Sequence, residues 1–182
     1  MCGIIGIASN KPVSMNIINS LKRLEYRGYD SAGLATLNKN LINEKKCSGR
    51  VEKLEEILFK SPAEGNLGIG HVRWATHGIP NKINAHPHSS EIVSVVHNGI
   101  IENSNELKKE LETEGLKFKS QTDTEVITLL ITKFLGNMNP LEAVFKTLTK
   151  LKGSFALGII FKDFHNMIIG ARRGSPLAVG YS

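Results

Sequence analysis

Cysteine is scarce: 182 residues contain two, Cys2 and Cys47. There is no Cys-x-x-Cys pair; a single disulfide is the alternative to the reduced cytoplasmic thiols that are expected. Long apolar runs are missing too. None approaches the ~20 residues a membrane-spanning helix needs, and the apolar opening has no basic stretch before it, so no secretory signal is expected. Aromatic residues make up 6% of the chain. The basic excess is +6, but its lysines are scattered through "LKR", "NEKK", "LKKE" and "LTKLKG", mostly beside glutamates. No basic block is interleaved with aromatics, so nucleic acid is not an expected partner. Gly68-Ile-Gly70 lacks the third glycine and the Lys-Ser/Thr pair of a phosphate loop. His86 and His88 have no nearby Asp, Glu or Cys to complete a ligand set, so a metal is not expected.

What the chain does have is 41% apolar and 22% charged residues, the balance of one globular domain. "CGIIGIA", "SAGLATL", "LINEKKC", "NLGIGHVRW" and "IVSVVHNG" read as strands, the last ending in an Asn-Gly turn. "VSMNIINSLKRLEYRG" carries apolar residues at helical spacing, with Ser14 as N-cap and Gly28 as stop. "VEKLEEILFK", "SNELKKELETEG" and "NPLEAVFKTLTKLKG" are further amphipathic helices. "TDTEVITLLITKFLG" is a strongly apolar helix, opened by a Thr122–Glu125 capping box. Residues 75–90 form a long aperiodic loop. "SFALGIIF", "NMIIGAR" and "PLAVGY" predict three closing strands. Strands, then helices, then strands, joined by short links, predict an α+β fold with antiparallel sheets.

Several residues bear chemistry. Cys2 follows the start methionine directly. If Met1 is removed, Cys2 gains a free α-amine, with a pKa of about 7.7–8.0, that can take the thiol proton. Arg73, at a strand end, offers the forked donor that matches a ligand carboxylate, or else it pairs with an internal acid. Trp74 covers a small pocket or fills the core. His77 is a candidate base, or a loop hydrogen-bonding group. Asn98 and the Gly99 N–H offer two donors for a developing oxyanion, or make a simple turn. Asp123 aims a carboxylate at a ligand ammonium, or caps its helix.

Taken in order, "MCGIIGI", "LKRLEYRGYDSAGLA", "GHVRWATHG", "NAHPHSS", "VVHNGIIEN", "TDTEVI" and "RRGSPLAVG" resemble the glutaminase domains of the glucosamine-6-phosphate synthases, a branch of the class II glutamine amidotransferases. The resemblance spans nearly the whole chain. It implies a four-layer α/β/β/α sandwich of the N-terminal-nucleophile hydrolase type, with antiparallel sheets. It implies glutamine hydrolysis to glutamate and ammonia by Cys2 through a γ-glutamyl thioester, with Asn98 and Gly99 as oxyanion hole. Arg73 would bind the α-carboxylate and Asp123 the α-ammonium. Thr76 and His77 would line the site, Trp74 would gate it, and Arg27 and His86 would support it. The same resemblance implies no cofactor for this domain. The family's enzymes add further glutaminase strands and a sugar-isomerase module that residues 1–182 lack, so the chain is expected to be a C-terminally truncated glutaminase domain with a sugar-isomerase module or chain as partner. A folded, non-catalytic remnant that binds glutamine or glutamate is the second reading.

Overall fold

The computed structural model describes residues 2–75 and 78–181. Its first half alternates as the sequence patterns direct: β1 (Gly3–Ala8), α1 (Ser14–Leu24), β2 (Ser31–Asn38), β3 (Leu41–Ser48), α2 (Val51–Lys60) and β4 (Leu67–Arg73). The second half adds β5 (His88–Ser89), β6 (Val93–Ile101), α3 (Ser104–Thr113), α4 (Thr124–Leu135), α5 (Pro140–Lys150), β7 (Gly153–Phe161) and β8 (Ile168–Arg173). The strands form two four-stranded sheets, ordered β1-β4-β2-β3 and β5-β6-β7-β8. Every pairing is antiparallel.

Three apolar clusters give the layers. Ile17 and Leu21 of α1 and Leu54 of α2 pack with Leu34 and Val72 on the outer face of the first sheet. Leu107, Ile127 and Val144 of α3, α4 and α5 cover Val95, Leu157 and Ile159 on the outer face of the second. Between the sheets lie Leu37, Leu67, Ile69, Val96 and Ile160. The expected α/β/β/α sandwich is therefore present.

Side-chain alternation now fixes directions. Ile5 and Ile7 pack toward α1 and α2, while Ile4 packs between the sheets. Cys2 shares the side of Ile4. On β4, Leu67 and Ile69 face between the sheets, and His71 and Arg73 continue that row. On β6, Val93, Val95 and Ile101 face the helices, and Val96 faces the other sheet. His97 and Gly99 thus lie on the helix side, and Asn98 on the inter-sheet side.

Four local expectations are corrected. Asn98-Gly99 is no turn: β6 runs through it to Ile101, paired with β7. Gly99 has φ of +146° there, and a Cβ on it would sit 2.1 Å from the Ser154 carbonyl oxygen. Backbone that close leaves no room for any side chain. Gly99→Ala is expected to cost at least about 2 kcal/mol, from positive φ and collision together. An unchanged denaturant midpoint would show that β6 and β7 can part without penalty.

Ser14 does not cap α1; Val13 holds the N-cap position and the Ser14 hydroxyl bonds the Ala63 carbonyl. The Thr122–Glu125 capping box is absent as well. Glu125 instead accepts from the backbone N–H groups of Lys119 and Ser120, and Thr122 turns to His88. The reciprocal box forms at α5, between Asn139 and Glu142. Finally, "PLAVGY" pairs with no strand. Pro176 has no N–H to donate to a ladder, and Val179 and Tyr181 are 75% and 97% exposed.

Candidate active site

A narrow cleft opens where β1, β4 and β6 meet the start of α4. Cys2, Arg73, Trp74, His86, Gly99 and Asp123 all line it. These residues come from five separate stretches of sequence, and sheet pairing is what brings them together. Cys2 precedes β1, whose register places Gly3 beside Val72, one residue before Arg73.

The Cys2 sulfur sits against the backbone of Trp74. It accepts from the Trp74 N–H at 3.4 Å and lies 3.6 Å from the Trp74 carbonyl oxygen, to which its S–H donates. Burial pushes the thiol pKa up, opposed by the Trp74 N–H and by the positive charge of Arg73. The resting sulfur is therefore a thiol, and attack on any carbonyl carbon requires a base to take its proton.

Arg73 is 3% exposed, and its guanidinium donates to the Gly78 carbonyl oxygen at 3.4 Å. Burial disfavours its charge, and the carboxylates of Asp30 and Asp123 oppose that with negative potential around it. Gly28 makes its position possible: a Cβ there would lie 2.5 Å from the Arg73 carbonyl carbon. Trp74 is half exposed at the cleft mouth, edge-on to Tyr29 with 5.7 Å between ring centroids. It does not fill the core.

Asp123 does not cap its helix. Its Oδ2 accepts from the Ile101 N–H at 2.8 Å, tying the start of α4 to the end of β6. Its Oδ1 faces His97 Nδ1 at 3.9 Å and Thr124 Oγ1 at 3.5 Å. The carboxylate is thus anchored by one oxygen and presented by the other.

Two of the expected residues are not on the cleft wall. Asn98 is half-buried beside Gly99, on the inter-sheet side that Cys2 also faces. Arg27 lies in a 3-10 turn (Glu25–Arg27), where its Nε donates to the Tyr26 hydroxyl at 3.0 Å. Thr76 and His77 lie outside the described residues.

Behind the cleft is a cluster that the sequence reading did not assemble. His71, His86, His88 and His97 are all buried. The His71 and His86 rings stack at 4.1 Å, and His86 meets His88 edge-on at 4.8 Å. His71 Nε2 donates to the His97 carbonyl oxygen at 3.0 Å, joining one sheet to the other. Thr124 Oγ1 lies 2.7 Å from His86 Nε2 and 2.9 Å from His97 Nδ1. Burial lowers all four histidine pKa values, that of His71 to about 3. These rings are neutral, and their bonded nitrogens tie segments together. Among the described residues no group of three His, Cys, Asp or Glu is placed to hold a metal ion. The available signal was the density of histidines, five of the six in the chain lying between positions 71 and 97, because buried polar rings must find partners.

The glutamine amidotransferase domain family matches residues 71–180. A "Glutamine--fructose-6-phosphate aminotransferase [isomerizing]" of Bradyrhizobium diazoefficiens is 52% identical over 182 residues, which is 100% of this chain and 30% of that protein. The protein of the same name from Gluconobacter oxydans is 50% identical over 183 residues, with the same coverage. The chain spans about 30% of the length of these curated relatives. Among solved structures, a glutamine phosphoribosylpyrophosphate amidotransferase from B. subtilis superposes with a TM-score of 0.78 at 28% identity. That match covers 89% of this chain and 35% of that one. A glutamine aminotransferase class-II domain protein from Silicibacter pomeroyi shares the fold, with a TM-score of 0.65 at 15% identity, over 97% of this chain and 78% of that one.

Proposed function

The chain belongs to the glutamine amidotransferase family, and from that premise we propose that it hydrolyses L-glutamine to L-glutamate and ammonia, with Cys2 as nucleophile. The observation that carries this is the convergence, in one cleft, of a thiol, a forked guanidinium and a half-anchored carboxylate. Glutamine has one chemical handle for each. Arg73 takes the α-carboxylate with two parallel hydrogen bonds. The free face of Asp123 takes the α-ammonium. The side-chain amide then reaches Cys2, where the Gly99 N–H and the Asn98 side chain hold the oxygen as it gains charge.

In this reading Met1 is removed, and the α-amine of Cys2 serves as the base that the protonated thiol requires. Sulfur bonds to the amide carbon and the thiol proton passes through the amine to the leaving nitrogen. The C–N bond breaks and ammonia departs. Water then adds to the thioester carbon, the C–S bond breaks, and glutamate and the thiol are restored. The four buried histidines are poor candidates for that base, because burial disfavours their charged forms. Trp74 gates the mouth, Thr76 and His77 line the site, and Arg27 and His86 support it.

The ammonia would serve amination of fructose 6-phosphate, the substrate that the relatives' names carry. That step needs a sugar-isomerase module or chain as partner. A cytoplasmic setting fits the two free thiols. Among the described residues no helix is long and apolar enough to cross a membrane. Nucleic acid is not a proposed partner, since Lys22, Lys46, Lys133 and Lys150 are each paired with a glutamate. The non-catalytic reading is not favoured, because the cleft holds the full set of handles for glutamine.

The test is an assay of glutamate and ammonia release from glutamine, joined to intact mass spectrometry with an electrophilic glutamine analogue. Equimolar products and a single adduct on a Met1-free chain, blocked by excess glutamine, are expected. A Met1-free chain that neither turns over nor labels would overturn the proposal.

A further inference from the structure

Thr124 is fully buried, lies next to Asp123 and holds three polar groups with one hydroxyl. His86 Nε2 is 2.7 Å away, His97 Nδ1 is 2.9 Å away, and Asp123 Oδ1 is 3.5 Å away. A hydroxyl has one proton to give and two lone pairs to receive with. Where that proton goes is decided by the far sides of the two rings. His86 Nδ1 and His97 Nε2 are buried and have no partner among the described residues.

Suppose Thr124 donates to either histidine. That ring nitrogen then holds a lone pair, so the ring's proton sits on its far nitrogen, buried with no acceptor. An orphaned donor of this kind costs about 1–3 kcal/mol. If instead both rings donate to Thr124, their far nitrogens carry only lone pairs and no N–H is stranded. The threonine proton is then directed at the carboxylate.

We propose that Thr124 is the positioning residue for Asp123: its hydroxyl receives N–H donors from His86 and His97 and gives its own proton to Asp123 Oδ1. With Oδ2 held by the Ile101 N–H, the carboxylate is restrained at both oxygens, and its remaining lone pairs point where an ammonium can be met. His71 extends the tie, since it stacks on His86 and donates to the His97 carbonyl. The strand that carries Arg73 is thereby linked to the helix that carries Asp123. One small hydroxyl sets the distance between the two charged ends of the ligand site.

The inference rests on Asp123 meeting the α-ammonium, and the experiment separates the two claims. Glutamate and glutarate differ by that ammonium. Their dissociation constants are measured by calorimetry for the unmodified protein, Thr124→Val, Thr124→Ala and Thr124→Ser. The unmodified protein is expected to prefer glutamate. Thr124→Val, equal in shape, is expected to weaken glutamate binding by about tenfold, the size of one charged hydrogen bond, and to leave glutarate unchanged. Thr124→Ser keeps the hydroxyl and restores the preference. If the valine protein does not melt cooperatively, the alanine and serine proteins carry the same comparison, with the preference lost in the first and kept in the second. Equal loss for both ligands means a merely structural threonine and overturns the inference. An undiminished glutamate preference without the hydroxyl does the same. No preference in the unmodified protein overturns the assignment of Asp123 itself, and the role of Thr124 with it.

Discussion

Replacing Cys2 with alanine is expected to reduce glutamine hydrolysis at least about a thousandfold while the fold stays intact. The nucleophile supplies the only atom that can carry the acyl group between the two half-reactions, so nothing else in the cleft substitutes for it. The structural cost is small. Cys2 is half-buried at the tip of β1, and among the described residues its sulfur hydrogen-bonds to the Trp74 backbone, at 3.4 and 3.6 Å. Stability is expected to change by about 1 kcal/mol or less. Glutamate binding should persist, because Arg73 and Asp123 are untouched. Thermal melting, product binding and turnover on one preparation check all three. Measurable turnover in the alanine protein would remove Cys2 from the mechanism. A chain that retains Met1 provides the complementary comparison: it keeps the thiol and loses the amine. Its hydrolysis is expected to fall nearly as far, since burial holds the thiol protonated and the histidines of the cleft among the described residues are buried against taking a proton.

The parts of this fold that were legible in the sequence are those with a local cause. Ile17 and Leu21 mark one buried helix face, and the "NKN" turn between "SAGLATL" and "LINEKKC" marks a hairpin. Misreadings arose where a remote partner decides. Asn-Gly is a turn signal because glycine accepts positive φ, and Gly99 uses that freedom inside a strand clamped by Ser154 and Phe155 of β7. Thr122 and Glu125 have capping spacing, but His88 and the Lys119–Ser120 backbone take their oxygen atoms first.

The site divides the same way. Cys2, Arg73 and Asp123 stand out by residue type, each being a group with an obvious chemical use. Thr124, His71 and His97 do not, because their roles consist of contacts between strands and a helix that no spacing announces. His97 and Thr124 each adjoin a residue that did stand out, Asn98 and Asp123. The supporting layer was one position away from the residues chosen, on the opposite face of the same strand or one step into the same helix.

Acid is expected to unfold this protein earlier than its carboxylates alone would. His71, His86 and His88 are neutral in the folded state, with pKa values held down first by burial. The other rings of the cluster and Arg73 add to this, as does Lys46 beside His88. His97 is lowered by burial too, although the neighbouring Asp123 pulls it back up. Unfolded histidine titrates near 6.5. Below that pH the unfolded chain binds protons that the folded chain refuses, so stability is complete above pH 6.5 and falls as pH drops toward 3, where His71 titrates in the fold. Each histidine that stays neutral contributes a loss of about 2 kcal/mol between pH 7 and pH 5. His71, with its pKa near 3, supplies that loss in full, and His86 and His88, shifted in the same direction, add to it. The urea midpoint should therefore fall steeply across that interval. His88→Gln is expected to flatten the slope, because it removes one of the rings held neutral by burial. Equal midpoints at pH 7 and pH 5 would mean that the four rings already accept protons in the fold, and that the neutral network behind the cleft does not exist.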